Sequence, residues 1–174
     1  MADNIRAAAA EMQGQLFALS ASAGYSSESF IRVFMTSHTA KISDTSYPLR
    51  PRSKEYLFSL FEDECENALE RSGEIFDRNL LYWIGYVYKY WALTAGIGSA
   101  ELYAAAPVKT MTDAFTLYAG LPICTVIDRL TDDVRAAAPI PEDPYPFLKD
   151  TAPTWRLNTE RTEYISGASY KETK

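Results

Sequence analysis

Tyr82, Tyr86 and Lys89 fall within "LLYWIGYVYKYWALTAG", residues 80–96, which holds four tyrosines, two tryptophans and a single lysine. If the segment is helical, these three side chains lie about one turn apart on one side. Two phenols and an ammonium at that spacing could grip a carboxylate or phosphate, and the rings could stack on a base or a partner's apolar side chain. At about 100° per residue, Leu80, Ile84, Val87 and Trp91 share the other face, flanked by Trp83 and Tyr88. That face reads as core. A helix apolar nearly all round belongs at the centre of a bundle, contacted from several directions. Tyr82, Tyr86 and Lys89 therefore face either a second packed neighbour or a groove, and packing is the commoner role for aromatic stripes. Gly85 sits among them at a cost of about 1 kcal/mol relative to alanine, which points to close approach by a neighbouring backbone.

Other reactive residue types form no complete constellation. Glu62 and Glu66 in "FEDECE" are four apart and could share a cation, yet no Glu-x-x-His partner motif follows, so a solvated face is expected and no metal. His38 is the single histidine, which argues against zinc. A Ser37, His38, Asp44 arrangement can be drawn, but it lacks the nucleophile-elbow context, and His38 reads as a polar residue at a helix end. Gly96-Ile97-Gly98 is a helix stop followed by a cap, not a phosphate loop. Cys65 and Cys124 lack metal or disulfide spacing and read as small buried thiols. These readings predict no enzyme and no cofactor.

The net charge of −6 and pI near 4.9 oppose nonspecific attraction to nucleic acid or anionic lipid and fit a basic partner. The one local basic cluster, Arg50, Arg52 and Lys54, could join Arg32 and Lys41 in a helix-turn-helix reading. Phe30, Val33 and Phe34 look like core, however, and leave few side chains to read bases.

The elements that must position these residues are helical throughout. Apolar periodicity predicts a helix over 4–20 with Ile5, Ala9, Met12, Leu16 and Leu19 on one stripe. A second is predicted from the Ser26-Ser27-Glu28 cap to about Ile42. After a loop holding Pro48 and Pro51, Ser53 caps a third helix through about Arg71, with Tyr56, Leu57, Leu60, Phe61, Ala68 and Leu69 on its apolar face. Asp77 caps the aromatic helix and Gly96 ends it. Short helices follow from Ser99 and over 109–118, and Pro122 opens a last one bearing Ile123, Ile127, Leu130 and Val134. The expectation is an all-α, single helical bundle of six or seven helices over 1–138.

Five prolines in "PIPEDPYPFLKDTAPTW" then exclude a long helix, and 139–174 reads as an extended, proline-rich C-terminal arm. It carries Trp155, Arg156, Arg161, Tyr164 and Tyr170, residue types that often dominate binding energy. An ordinary terminus or packing on the chain's own body is the plain alternative. Glu11, Gln13 and Gln15 interrupt any signal-peptide core, and Lys89 sits in the middle of the one stretch of membrane-span length, so the chain is expected to be cytoplasmic and not to enter a membrane.

Two stretches carry a resemblance. Phe30, Ile31, Arg32, Phe34, Met35 and Ser37 match the pattern Phe-Ile-Arg-x-Phe-Met-x-Ser. Residues Tyr82 to Trp91 match Tyr-Trp-Ile-Gly-Tyr-x-Tyr-(Arg/Lys)-Tyr-Trp. Together they resemble a family of small bacterial helical proteins over about residues 25–132, omitting the tail. The resemblance implies genes beside ADP-ribosyltransferase-like toxins, hence an antitoxin or immunity role, and transfers no catalytic residue. The expected function is a non-catalytic protein-interaction module that neutralises a toxin or effector, with Trp155, Arg156, Arg161, Tyr164, Tyr170, Tyr82, Tyr86 and Lys89 as candidate partner contacts. The alternatives are the DNA-binding regulator and a small-ligand protein using the aromatic helix.

Overall fold

Two glycines decide how the central pair of helices meets. The computed structural model describes residues 2–46 and 53–137, which contain eight α-helices and one 3-10 turn and no strand. In order these are α1 (Ala2–Ala23), α2 (Ser27–Thr36), α3 (His38–Ser46), α4 (Lys54–Cys65), the 3-10 turn Glu66–Ala68, α5 (Arg78–Ala95), α6 (Ser99–Ala105), α7 (Val108–Tyr118) and α8 (Ile123–Ala137). The all-α expectation holds. The arm predicted over 139–174, with its five candidate contacts, and Arg50 and Arg52 lie outside the described residues.

α5 lies along α1. A Cβ on Gly85 would sit 2.7 Å from the Gln13 carbonyl oxygen and 2.7 Å from Phe17 Cγ, and one on Gly14 would sit 2.9 Å from the Tyr82 carbonyl oxygen. The backbones thus approach through both glycines, as Gly85 foretold. Gln13 Nε2 donates to the Gly85 carbonyl at 3.1 Å across this contact. The crossing also turns α1 away from its predicted stripe. Ile5 is 38% exposed, whereas Ala10, Gln13, Gly14, Phe17 and Ser20 are buried beside Ala9 and Leu16. A close crossing selects small residues, which a hydrophobicity stripe reads as the polar side.

Phe17 from α1, Phe30 and Phe34 from α2, and Phe58 and Phe61 from α4 pack as one aromatic cluster. Phe17 meets Phe34 edge-on at 5.1 Å and Phe30 meets Phe61 edge-on at 5.3 Å. α5 completes the core with Leu81, Ile84, Val87 and Tyr88, and the Tyr88 hydroxyl donates to the Ala106 carbonyl. Leu80 is only partly buried and Leu81 takes the place expected of it. Likewise Tyr56 is 53% exposed and Ala68 is exposed, while Leu57 and Phe58 turn inward.

Two predicted helices end early, for identifiable reasons. The second breaks at Ser37, whose backbone is extended (φ −74°, ψ 161°). The Ser37 Oγ donates to the Phe34 carbonyl at 2.7 Å and accepts from the Ala40 N–H at 3.1 Å. One serine therefore ends α2 and caps α3. The third stops at Cys65 because the chain beyond it binds the start of α2. Ser26 N–H donates to the Glu70 carbonyl at 2.8 Å, Ser27 N–H to the Glu74 carbonyl at 2.9 Å, and Phe76 N–H to Ser27 Oγ at 2.8 Å. These bonds satisfy the first N–H groups at the start of α2, and the Glu70 N–H, which a longer helix would have paired internally, donates to Ser29 Oγ at 3.2 Å. Elsewhere the caps are as expected: Ser53 accepts from Tyr56 N–H, Asp77 from Asn79 N–H, and Gly96 ends α5 in the left-handed region at φ 69°.

Candidate functional site

The structure separates Lys89 from Tyr82 and Tyr86. Lys89 is the one charged residue buried among the described residues, its side chain 0% exposed, and its Nζ lies 2.7 Å from Asp44 Oδ1. The same carboxylate accepts from Ser99 N–H at 2.8 Å and Ser99 Oγ at 2.9 Å. A residue from each of α3, α5 and α6 meets here, so the carboxylate joins three helices and receives the first N–H of α6. Burial pulls the Lys89 ammonium below its ordinary pKa, and the Asp44 charge opposes that pull. Lys89 accordingly faces the protein interior, a correction to its place among candidate partner contacts. The reason is that an interior carboxylate from another helix compensates the charge, and nothing in local spacing reveals it.

Tyr82 and Tyr86 are half-buried and run along the seam between α1 and α5. Their rings stack at 6.0 Å, and Tyr86 stacks on Tyr90 at 6.2 Å, so tyrosines at positions i, i+4 and i+8 form one row. The Tyr82 hydroxyl donates to the Glu11 carboxylate of α1. Burial and this bond raise the Tyr82 pKa, and burial raises that of Tyr86. The row is neither wholly core nor an open groove: Tyr82 and Tyr86 are partly exposed, whereas Tyr90 is buried. Neither Tyr90 nor Glu11 was among the candidate site residues. The i+4 spacing of Tyr90 was a usable signal, whereas the Glu11 contact spans 71 positions.

No family model, curated protein or solved structure matches this chain.

The remaining candidates serve as helix ties. In the acidic run, Glu62 accepts from the Tyr25 hydroxyl at 2.9 Å, and the Arg71 guanidinium lies 4.5 Å above the Tyr25 ring. Glu64 caps α3: it accepts from His38 N–H at 2.6 Å, Thr39 N–H at 2.9 Å and Thr39 Oγ1 at 2.7 Å. Among the described residues no group of three or more His, Cys, Asp or Glu could hold a metal ion. Ser37, His38 and Asp44 do not assemble as a triad, since Ser37 is engaged as a cap and Asp44 at Lys89. His38 is exposed at the start of α3, the helix-end position expected of it. Cys65 is half-buried, with burial pushing its thiol pKa up, and Cys124 is exposed rather than buried. Of the basic residues, Arg32 pairs with Glu70 at 3.2 Å and Lys54 Nζ contacts Gln15 Oε1 at 3.2 Å. No helix among the described residues is long and apolar enough to cross a membrane.

The cap at α3 yields a prediction. Glu64→Ala is expected to destabilise the fold by about 1–2 kcal/mol, as for other N-terminal caps. Burial works to raise the Glu64 pKa, but its hydrogen bonds from Thr39 and the two backbone N–H groups prevail and hold it below the usual carboxylate range. Glu11 is lowered too, chiefly by its bond from Tyr82 and then by that from Gln15. Depressed carboxylates stabilise the fold above their unfolded pKa and lose that contribution as pH falls through the folded one. Urea unfolding should therefore show falling stability as pH drops below about 4.3, the ordinary glutamate value. The slope should be shallower in a Glu64→Ala/Glu11→Ala variant. An unchanged slope would remove these two groups from the account.

Proposed function

We propose that the protein is a non-catalytic interaction module, most concretely an antitoxin-like or immunity protein that binds and neutralises a bacterial toxin or effector. The observation that carries this reading is the engagement of its chemically capable side chains. Asp44 accepts from both Lys89 and Ser99 across three helices, Glu62 accepts from Tyr25 between α1 and α2, and Glu64 accepts from the start of α3. What the body offers outward is an acidic surface, matching a net charge of −6, and the half-exposed rings of Tyr82 and Tyr86. Those features suit protein contacts, where aromatic anchors and charge complementarity set affinity and specificity. The resemblance of residues 25–132 to toxin-associated helical proteins supports an ADP-ribosyltransferase-like partner. The arm residues Trp155, Arg156, Arg161, Tyr164 and Tyr170 are the second candidate contact set.

Growth of cells co-expressing the adjacent gene's product tests the proposal. Wild-type chain is expected to relieve toxicity. A Tyr82→Ala/Tyr86→Ala variant and a Trp155→Ala/Arg161→Ala variant separate the two contact sets, and the one that matters should lose at least tenfold in affinity, about 1.4 kcal/mol. No relief by any form, with all forms folded, contradicts the proposal.

A further inference from the structure

Where α2 begins, its first turn and the chain from Glu70 to Phe76 enclose a cleft of about 420 Å³. Glu28, Glu70 and Glu74 line it, with Arg32 the one cation among its lining residues. Arg32 is bound to Glu70 at 3.2 Å, whereas Glu28 and Glu74 carry no ion pair among the described residues. Acidic residues alone would mean little, since such clusters are usually only solvated. The second observation is Ser26. It is 6% exposed, lines the same cleft, and its Oγ bonds no helix N–H and has no partner among the described residues. The neighbouring serines differ: Ser27 Oγ accepts from Phe76 N–H and Ser29 Oγ from Glu70 N–H. The Ser26 hydroxyl packs against Gly73, where an added Cβ would lie 2.4 Å from it, so only glycine leaves room for the serine at the edge of the cleft.

We infer that this cleft receives an arginine side chain of a partner protein. The guanidinium would lie between the Glu28 and Glu74 carboxylates and donate to Ser26 Oγ, with its stem along the Phe76 ring. Arginine suits the site better than lysine because its planar fork can serve two carboxylates and a hydroxyl together. Ile75, between two lining residues in the chain, is 47% exposed and offers apolar contact beside the charge, which a protein partner can use and a free cation cannot. The net negative lining disfavours phosphate, although Arg32 is present. This inference rests on the interaction reading and names the partner's chemistry.

The test is a titration of the full-length ¹⁵N-labelled chain with an acetylated hexa-arginine peptide, with hexa-lysine and inorganic phosphate as comparison probes. Arginine peptide is expected to shift the Ser26, Ser29 and Phe76 amides, at lower concentration than lysine peptide. Glu28→Gln/Glu74→Gln should weaken binding at least fivefold. Asp63→Asn/Glu66→Gln removes the same charge from exposed positions beyond the cleft and should leave binding within twofold. Shifts spread evenly over acidic surfaces, equal losses in both variants, no binding, or a response to phosphate at these amides would overturn the inference. The adjacent gene's product separates the two proposals. If it binds wild type and the Glu28→Gln/Glu74→Gln variant equally, the cleft assignment falls and the interaction reading stands. If it binds neither, the interaction reading falls, and the peptide titration still decides the cleft.

Discussion

Lys89→Ala is expected to lower the unfolding free energy by about 3–5 kcal/mol, the usual result of stripping one partner from a buried ion pair. At about 2–4 °C per kcal/mol for a chain of this size, Tm should fall by roughly 6–20 °C. Two terms contribute: a cavity where the stem lay, and Asp44 left with only Ser99 as a donor. Lys89→Met separates them, because it restores the stem's volume and keeps the charge defect. It is expected to remain destabilised, and adding Asp44→Asn should recover a large part of the loss. Thermal unfolding of the four corners of this cycle measures the coupling. A Lys89→Met variant as stable as wild type would show that the stem alone matters. Either way the loss is one of folding, so any effect on partner binding should vanish once folded protein is compared at equal concentration.

Gly85→Ala comes second in expected size. Alanine ordinarily gains about 1 kcal/mol over glycine within a helix. Here its Cβ would lie 2.7 Å from both the Gln13 carbonyl oxygen and Phe17 Cγ, and one of these is backbone that moves only with the whole of α1. Overpacking of this kind costs about 1–3 kcal/mol and more where no flexible side chain can yield, so a net loss is expected. Gly14→Ala should behave alike, because its Cβ meets the Tyr82 carbonyl. Gly98→Ala is the contrast, with no atom within 4 Å of the added Cβ, and should leave the Tm nearly unchanged. If Gly85→Ala raised the Tm, the close backbone contact between α1 and α5 would be wrong.

The fold class was open to reading because helical periodicity and caps are local. Ser53, Asp77 and Gly96 mark boundaries by their own side chain or backbone geometry, and each sits where expected. Gly85 could likewise be interpreted, since a glycine inside a strongly apolar helix asks for a neighbour. The errors share one physical origin, contacts between residues far apart in sequence. The extra helix break at Ser37 depends partly on Glu64, 25 and 26 positions away from the groups it binds. The early end of α4 depends on pairing with Ser26 and Ser27. Lys89 was open to packing or a groove because helical angle places it near Tyr82 and Tyr86, and only Asp44, 45 positions away, gives it an interior partner. Of the candidate contacts that are described, Tyr82 and Tyr86 are partly exposed and Lys89 is not.

The interaction reading is tested most directly by calorimetric titration of the full-length chain with the adjacent gene's product, followed by intact-mass measurement of both proteins. The account predicts saturable binding at a fixed ratio, weakened by raised salt as acidic–basic contacts require, with both masses unchanged. Absence of binding, or a covalent change in the partner produced by this chain, would contradict it.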